Sequence, residues 1–172
     1  MAKLGKIPIV DENDNLLYYK EESERDFRKE VTRSSALWII NEKEEILIAK
    51  RSKNKFHFPN IWGPSAAGSH EEGETYESNI IKEAKEEIGI NLDKFVAGPK
   101  RRESDNHEFF NQYFFTQVPS DTKFILQESE VDEVKWVSLK ELKDWYSRNS
   151  EEFTPSFNIS LEVIENYEKI LK

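Results

Sequence analysis

Apolar and polar positions divide the first half of the chain into short strands and turns. Two apolar segments at residues 35–40 and 46–49 are separated by a polar turn at residues 41–44, and they predict a hairpin of buried strands. An earlier apolar segment at residues 7–10 precedes a turn rich in Asp and Asn, and it predicts another short strand. Residues 20–29 are charged, and their pattern fits either a helix or a loop.

Helical spacing becomes prominent in the second half. Residues 76–88 predict a helix that begins after the N-cap Thr75 and ends before Gly89. Because strands and helices interleave without a regular βαβ period, we predict a mixed sheet flanked by helices. We expect one domain over residues 1–172, with residues 1–30 packed on it as an N-terminal extension. The other predicted elements are strands at residues 95–97, 109–118 and 131–137, and helices at residues 138–148 and 158–172.

Composition narrows the possible functions. The net charge of −9 argues against binding to nucleic acid or to an anionic membrane surface, because both need clustered Lys and Arg. The absence of cysteine excludes disulfides, thiolate metal sites and a Cys nucleophile. Residues 1–10 lack the apolar core of a signal peptide, and no apolar segment approaches the ~20 residues of a membrane span. We therefore expect a cytoplasmic globular protein, which could still bind an anionic small molecule through a cation.

The predicted helix at residues 76–88 carries three glutamates on one stripe. Glu83, Glu86 and Glu87 occupy positions i, i+3 and i+4, beside the apolar stripe that contains Ile80 and Ala84. Carboxylates in this arrangement repel one another, and Glu87 is also close to the core. A divalent cation with a preference for hard oxygen ligands, Mg²⁺ or Mn²⁺, would relieve both penalties. On this pattern alone, a solvated acidic helix remains the commoner alternative.

A wider motif favours the metal site. Gly68 is followed by five residues, then Glu74, then seven residues, then the segment 82–90, which reads Lys-Glu-Ala-Lys-Glu-Glu-Ile-Gly-Ile. This spacing resembles the Nudix box, and every defined position matches except one, where Lys82 replaces Arg. The resemblance implies an α/β/α sandwich with a mixed β-sheet and a catalytic loop–helix–loop.

The resemblance also implies roles for individual residues. Glu83, Glu86 and Glu87 are expected to bind the catalytic metal together with the carbonyl of Gly68. Glu74 is expected to support the loop. The metal bridges the diphosphate and activates a water. Lys82 retains the positive charge of the family's Arg but not its planar fork, so we expect weaker orientation of a glutamate rather than loss of activity.

Segments outside the box resemble the branch of the family that includes isopentenyl-diphosphate isomerases. The similarity rests on residues 46–52, 58–68, 10–14 and 153–157. Those isomerases carry a catalytic Cys before the box glycine and a metal-binding His after it. Here the two positions hold Ala67 and Ser69, and the nearest imidazole, His70, is one position late. The chain is therefore predicted to be a hydrolase-type member of this branch.

Further candidates lie outside the box. Arg51 and Lys55 match positions that bind a diphosphate in the isomerases, although Lys55 is equally compatible with a solvated loop. Such hydrolases often use a glutamate outside the box as a metal ligand or general base. The sequence does not decide which glutamate is the general base here. His57 and His107 could contact substrate, although a lone His more often packs or lies at the surface. The candidate outer glutamates are Glu108, Glu128, Glu130 and Glu133.

Together these features predict a magnesium-dependent hydrolase. Its expected substrate is a small molecule, a nucleoside diphosphate derivative or related organic diphosphate, and not nucleic acid or membrane; a homodimer is compatible with the sequence. Two alternatives stay open: an enzyme resembling isopentenyl-diphosphate isomerase, and a nucleotide-binding module that has lost catalysis.

Overall fold

The chain folds around a central mixed sheet, in a computed structural model that describes residues 5–167. The sheet has the order β5-β4-β3-β8-β7, with β6 added beside β3 and β9 beside β4. In chain order the elements are β1 (Lys6–Val10), β2 (Leu16–Glu21), β3 (Thr32–Ile40), β4 (Glu45–Arg51), β5 (Trp62–Gly63), β6 (Ala66–Ser69), α1 (Tyr76–Ile88), β7 (Val96–Ser104), β8 (Glu108–Gln117), β9 (Val131–Ser138), α2 (Leu139–Arg148) and α3 (Phe157–Glu165).

The predicted hairpin of β3 and β4 forms, but its two strands soon diverge. They pair with each other at only two positions, where Ile39 lies opposite Leu47 and Ile40 lies opposite Ile46. Farther from the turn, β6 pairs with the first half of β3, and β5 pairs with the end of β4. Because each strand takes a different neighbour there, an opening forms between them, and the candidate site lies at this opening.

Alternation along β3 divides the core into two layers. Leu37 and Ile39 pack against α1, in a cluster that includes Ile80, Ala84 and Ile88. Trp38 and Ile40 project to the other face, where the side chains of α2 and α3 cover them. A strand presents successive side chains to opposite faces, so both faces of this buried strand must be covered by helices. The predicted α/β/α sandwich with a mixed sheet is confirmed.

Both ends of α1 are set by local hydrogen bonds. Thr75 Oγ1 accepts a bond from the Ser78 amide at 3.0 Å, and Ser78 Oγ accepts one from the Thr75 amide at 2.9 Å. At the other end Gly89 has a φ of 73°, in the left-handed region where a residue without Cβ is favoured. The helix therefore has the bounds that the sequence predicts.

Other elements differ from the predictions. Residues 20–29, expected as a helix or a loop, begin with the end of β2 and continue into a short 3₁₀ turn at Glu22–Glu24. β7 extends to Ser104, well beyond the predicted residues 95–97, because it pairs along most of β8. The C-terminal helix α3 spans Phe157–Glu165 and begins one residue before its predicted start. The last part of its predicted range, residues 168–172, lies outside the described residues.

The N-terminal hairpin is attached to the rest of the fold through Asp14. Its carboxylate accepts bonds from Arg33 Nε at 2.7 Å and from Tyr76 Oη at 2.9 Å, and it forms an ion pair with Lys100 at 2.6 Å. These contacts connect the β1–β2 turn to β3, α1 and β7. Within residues 5–167, no helix is long and apolar enough to cross a membrane.

Candidate active site

A small cavity opens where β3 and β4 diverge. Its volume is about 60 Å³. This is room for a few water molecules. Its polar and charged lining comes from Arg51 at the end of β4, Glu87 on α1, Glu130 before β9, and Thr154 before α3.

Glu83 and Glu87 face this region from the inner side of α1. Burial raises the pKa of both carboxyl groups. Repulsion from Glu83 raises the pKa of Glu87 further, and repulsion from Glu86 raises that of Glu83. The Ala67 amide donates one long bond of 3.3 Å to Glu87 Oε2. Glu83 has a cation nearby, since Lys82 Nζ lies 3.7 Å from its Oε1. Two adjacent half-buried carboxylates at a cavity form a site where a cation would be stabilised.

Gly68 lies directly against Glu83. A Cβ on residue 68 would come within 2.2 Å of the Glu83 carboxyl carbon, so any side chain there would displace the glutamate. The Gly68 carbonyl accepts a 3.0 Å bond from Ser34 Oγ, and a carbonyl oxygen has a second lone pair for another partner. The glycine of the motif thus makes room for a carboxylate and places a backbone oxygen beside it.

The residues fit a divalent cation by chemistry, although the side chains are not gathered into a finished cage. Glu83, Glu87 and the Gly68 carbonyl are hard oxygen donors of the kind that Mg²⁺ and Mn²⁺ prefer. Glu86 lies on the exposed side of α1. Among residues 5–167, no three acidic or histidine side chains are already placed to hold an ion. The room that Gly68 leaves for the Glu83 carboxylate is the observation that supports the fit.

Lys82 and Glu74 fasten the preceding loop to α1. Lys82 Nζ lies 2.5 Å from Glu74 Oε1 and 3.5 Å from Glu71 Oε2. The other oxygen of Glu74 accepts bonds of 2.9 Å from the Glu71 amide and from Asn79 Nδ2. This ammonium therefore contacts the loop glutamates more closely than it contacts Glu83.

The two predicted phosphate-binding cations have different relations to the cavity. Arg51 lines it. Arg51 Nε donates to the Phe58 carbonyl at 3.0 Å, and its Nη2 donates to the His57 carbonyl at 2.9 Å. Lys55 does not line the cavity, but it forms an ion pair with the lining residue Glu130.

Among the four candidate glutamates outside the box, the structure brings Glu130 to the cavity. Its negative charge contributes to the raised pKa of both Glu83 and Glu87. Glu108 pairs with Arg102 on the surface, and Glu128 and Glu133 are exposed. The sequence could not separate these four, because only the folded chain returns residue 130 to α1.

The positions that distinguish isomerases lack suitable chemistry. Ala67 lines the cavity, and Ser69 is exposed. His70 is buried elsewhere, where Ser35 Oγ donates to the Tyr76 carbonyl at 2.9 Å and the His70 Nε2–H donates to Ser35 Oγ at 3.0 Å. Burial lowers the pKa of His70 to about 4, so the ring is neutral at pH 7.

Thr154 also lines the cavity, although no motif in the sequence points to it. It comes from the segment between α2 and α3, and its amide donates to the Trp62 carbonyl at 2.9 Å. Its side-chain methyl would lie 3.3 Å from a Cβ on Gly63, so Gly63 allows this close approach. The sequence signal that could have indicated Thr154 is the resemblance of residues 153–157 to the family.

Comparisons with known proteins agree with this geometry. A family model described as NUDIX domain matches residues 31–157. An uncharacterized Nudix hydrolase of Listeria monocytogenes is 38% identical over 121 residues, which cover 69% of this chain and 69% of that protein. The prenyl-diphosphate phosphatase of Methanosarcina mazei is 31% identical over 154 residues, or 87% of this chain and 89% of that protein.

A solved structure shows the same fold. The crystal structure of DR0079 from Deinococcus radiodurans superposes with a TM-score of 0.73 at 21% identity, over 94% of this chain and 98% of that one. The family model covers most of the chain, including α1 and the walls of the cavity. The predicted family and enzyme class are thus confirmed, and the chain belongs to the Nudix hydrolases, which act on diphosphate bonds.

Proposed function

We propose that this protein is a Mg²⁺- or Mn²⁺-dependent hydrolase that cleaves the diphosphate linkage of a nucleoside diphosphate derivative or a related organic diphosphate. The observation that carries the proposal is that Glu87 and Arg51 line the same cavity. A carboxylate attracts a cation, and an arginine attracts phosphate oxygens, so the lining is complementary to a metal diphosphate.

In this proposal Glu83, Glu86, Glu87 and the Gly68 carbonyl hold the metal. The chemistry that a divalent cation supplies in such a site is neutralisation of phosphate charge and activation of a water. Glu86 joins the other ligands by a change of side-chain rotamer from its exposed position.

The chain's own groups then bind the phosphates and accept a proton. Arg51, oriented by two backbone carbonyls, steadies the phosphate oxygens. The water oxygen forms a bond to phosphorus while the bond from phosphorus to the bridging oxygen breaks. Glu87 or Glu130, in its ionised form, takes the water's proton.

Two alternatives receive less support. An isomerase needs proton-transfer groups at the front of the box, where Ala67 and Ser69 supply none. A binding module without catalysis would not need the three glutamates that this chain retains. An assay with isopentenyl diphosphate, scored for isomerised product, tests the first, and nucleotide binding without product release would support the second.

A substrate panel with metal tests the proposal. Nucleotide sugars, dinucleoside polyphosphates, nucleoside di- and triphosphates, and prenyl diphosphates would be scored for released phosphate or monophosphate. Prenyl diphosphates are included because the Methanosarcina mazei relative is named a prenyl-diphosphate phosphatase. We expect turnover with Mg²⁺ or Mn²⁺ and none with excess chelator. Equal turnover in chelator, or none on any diphosphate with either metal, would overturn the proposal.

A further inference from the structure

An aromatic surface lies beside the cavity, and three separate segments build it. Phe27 follows the 3₁₀ turn, Phe56 and His57 belong to the loop after β4, and His107 lies in the β7–β8 turn, next to Phe109. The ring centroids are 4.8 Å apart for Phe56 and His57, 6.4 Å for Phe27 and His57, and 5.9 Å for Phe27 and His107. We call Phe27, Phe56, His57 and His107 the ring surface.

Two phenyl rings of the ring surface are exposed to solvent. Phe56 is 89% exposed and Phe27 is 39% exposed. A phenyl ring that is almost fully exposed contributes little to folding, because it removes little apolar area from water. Exposed aromatic rings that cluster together are instead typical of binding sites.

Arg51 connects this surface to the cavity. Its guanidinium donates to the carbonyls of His57 and Phe58 while the same side chain lines the cavity. Lys55, the residue before Phe56, pairs with Glu130. A substrate whose phosphates reach Arg51 therefore has the ring surface within reach of its organic group.

The loop that carries Phe56 is held in an unfavourable backbone conformation. Phe58 has a φ of 51° and Asn60 a φ of 62°, and for a bulky residue such as Phe this left-handed region is strained. Arg51 stabilises the conformation through its side-chain bonds to the loop and through its own carbonyl, which accepts a 3.1 Å bond from the Asn60 amide. Strain of this kind persists at binding sites, where it fixes a side chain in position.

The chemistry of the surface favours a planar ring over an aliphatic chain. His57 and its neighbour Asn106, whose Nδ2 lies 3.5 Å from His57 Nδ1, place hydrogen-bonding groups among the phenyl rings. An isoprenoid chain has no use for these polar atoms, whereas a nucleobase can stack on a phenyl face and also form hydrogen bonds at its edge.

We propose that the ring surface binds the base of a nucleoside diphosphate, and that Phe56 is the residue on which the base stacks. This inference rests on the proposed function, because it assigns the organic part of the same substrate.

Binding measurements test it without depending on turnover. Affinities of ADP, UDP and inorganic pyrophosphate would be measured with Mg²⁺ by calorimetry, for the wild type and for Phe56→Ala, Phe56→Leu and Phe56→Trp. We expect Phe56→Ala and Phe56→Leu each to reduce the affinity for a nucleoside diphosphate, relative to pyrophosphate, by about tenfold. Phe56→Trp should retain it, because a larger ring still stacks.

A matched control comes from the far end of β7. Val96 is 41% exposed, and it lies roughly 25 Å along the strand from the β7–β8 turn, at about 3.3 Å per residue. Val96→Ala should leave every affinity unchanged.

The outcomes separate the two proposals. Full affinity in Phe56→Leu would show an aliphatic contact and overturn the stacking role, as would tighter binding of geranyl diphosphate than of ADP and UDP. An equal loss for pyrophosphate and ADP would also overturn it. If no diphosphate is hydrolysed but Phe56→Ala and Phe56→Leu still weaken nucleoside diphosphate binding relative to pyrophosphate, the proposed hydrolase function is wrong and the base-binding role of the ring surface is retained.

Discussion

Two buried carboxylates, Glu103 and Glu87, show how a structural acid differs from a candidate catalytic one. Glu103 is 3% exposed, and it accepts hydrogen bonds from Tyr113 Oη and, at 3.1 Å, from Asn111 Nδ2. Tyr113 Oη in turn lies 2.8 Å from Ser160 Oγ on α3. Glu87 receives one long backbone bond and lies beside a second carboxylate and a cavity.

Burial raises the pKa of both groups, so a raised pKa does not by itself identify a site. The useful difference is how the negative charge is compensated. Neutral donors surround Glu103 inside the layer between the sheet and α3, whereas Glu87 is next to a like charge in a space open to a ligand. Glu103 therefore has the surroundings of a packing residue, whereas Glu87 has those expected of the proposed metal ligand.

The largest expected effect is the loss of turnover in Glu87→Gln. Removing a metal ligand and proton acceptor should reduce kcat by at least about a hundredfold. In chelator the melting temperature should stay the same or rise, because the repulsion from Glu83 is removed. Steady-state kinetics and thermal unfolding would measure the two quantities. Wild-type turnover in this variant would remove Glu87 from the mechanism.

Glu103→Ala should have the opposite effect, a loss of stability with almost unchanged turnover. It leaves the donors of Tyr113 and Asn111 without their acceptor, so the free energy of unfolding should fall by about 2 kcal/mol. The variant's kcat should remain within about twofold of the wild type, because the network lies on the other face of the sheet. Urea unfolding followed by kinetics checks both; a hundredfold loss of kcat with unchanged stability would contradict the comparison.

A smaller effect is expected at Lys82, which gives Glu83 partial compensation. Lys82→Met should reduce kcat about tenfold, the size typical for a residue that orients a metal ligand. Lys82→Arg should stay within about threefold of the wild type, because the charge near Glu74 and Glu83 is retained. The pair of variants, compared by kcat and by Mg²⁺ affinity, separates charge from geometry. Equal losses in both would show that the lysine's shape matters more than its charge.

The smallest expected effect is a pH dependence of stability caused by Glu103. Its pKa in the folded protein is raised above the ordinary value of 4.5. The favourable contribution of Glu103 to the free energy of unfolding is therefore complete below pH 4.5, and it is lost as the pH rises through the pKa of the folded state. In chelator, the wild type should lose stability relative to Glu103→Gln between pH 5 and pH 8, because the amide mimics the protonated acid. Urea unfolding at both pH values measures this, and a parallel pH dependence would refute it.

Local chemistry explains what the sequence predicted well. The bounds of α1 follow from Thr75, Ser78 and Gly89, and all three act within one turn of the helix. The glutamate stripe follows from helical periodicity alone. Elements fixed by pairing with distant strands were predicted poorly. Residues 98–102, at the centre of β7, read Gly-Pro-Lys-Arg-Arg and show no apolar alternation; their strand exists because β8 lies beside it.

The same distinction holds for the candidate site. The motif marks Gly68 and the glutamates of α1, but it contains no information about Glu130, Thr154 or Phe56. Glu130 and Thr154 reach the cavity, and Phe56 reaches the ring surface, through the register of β4 with β9 and β5 and the path of the loops between them. Such tertiary placement depends on the whole core rather than on neighbours in the chain.

The parallel pairing of β3 with β8 also has a consequence for how the protein folds. Thr32 lies opposite Phe109, so two central strands must meet across more than seventy intervening residues. Loops of this length close slowly, and contacts between distant segments form late in folding. α1 can form early from its own capping bonds, yet its glutamates acquire their facing wall only when β4 and β9 have joined the sheet. The completed cavity beside the acidic helix therefore depends on the slowest, most long-range pairings of the fold.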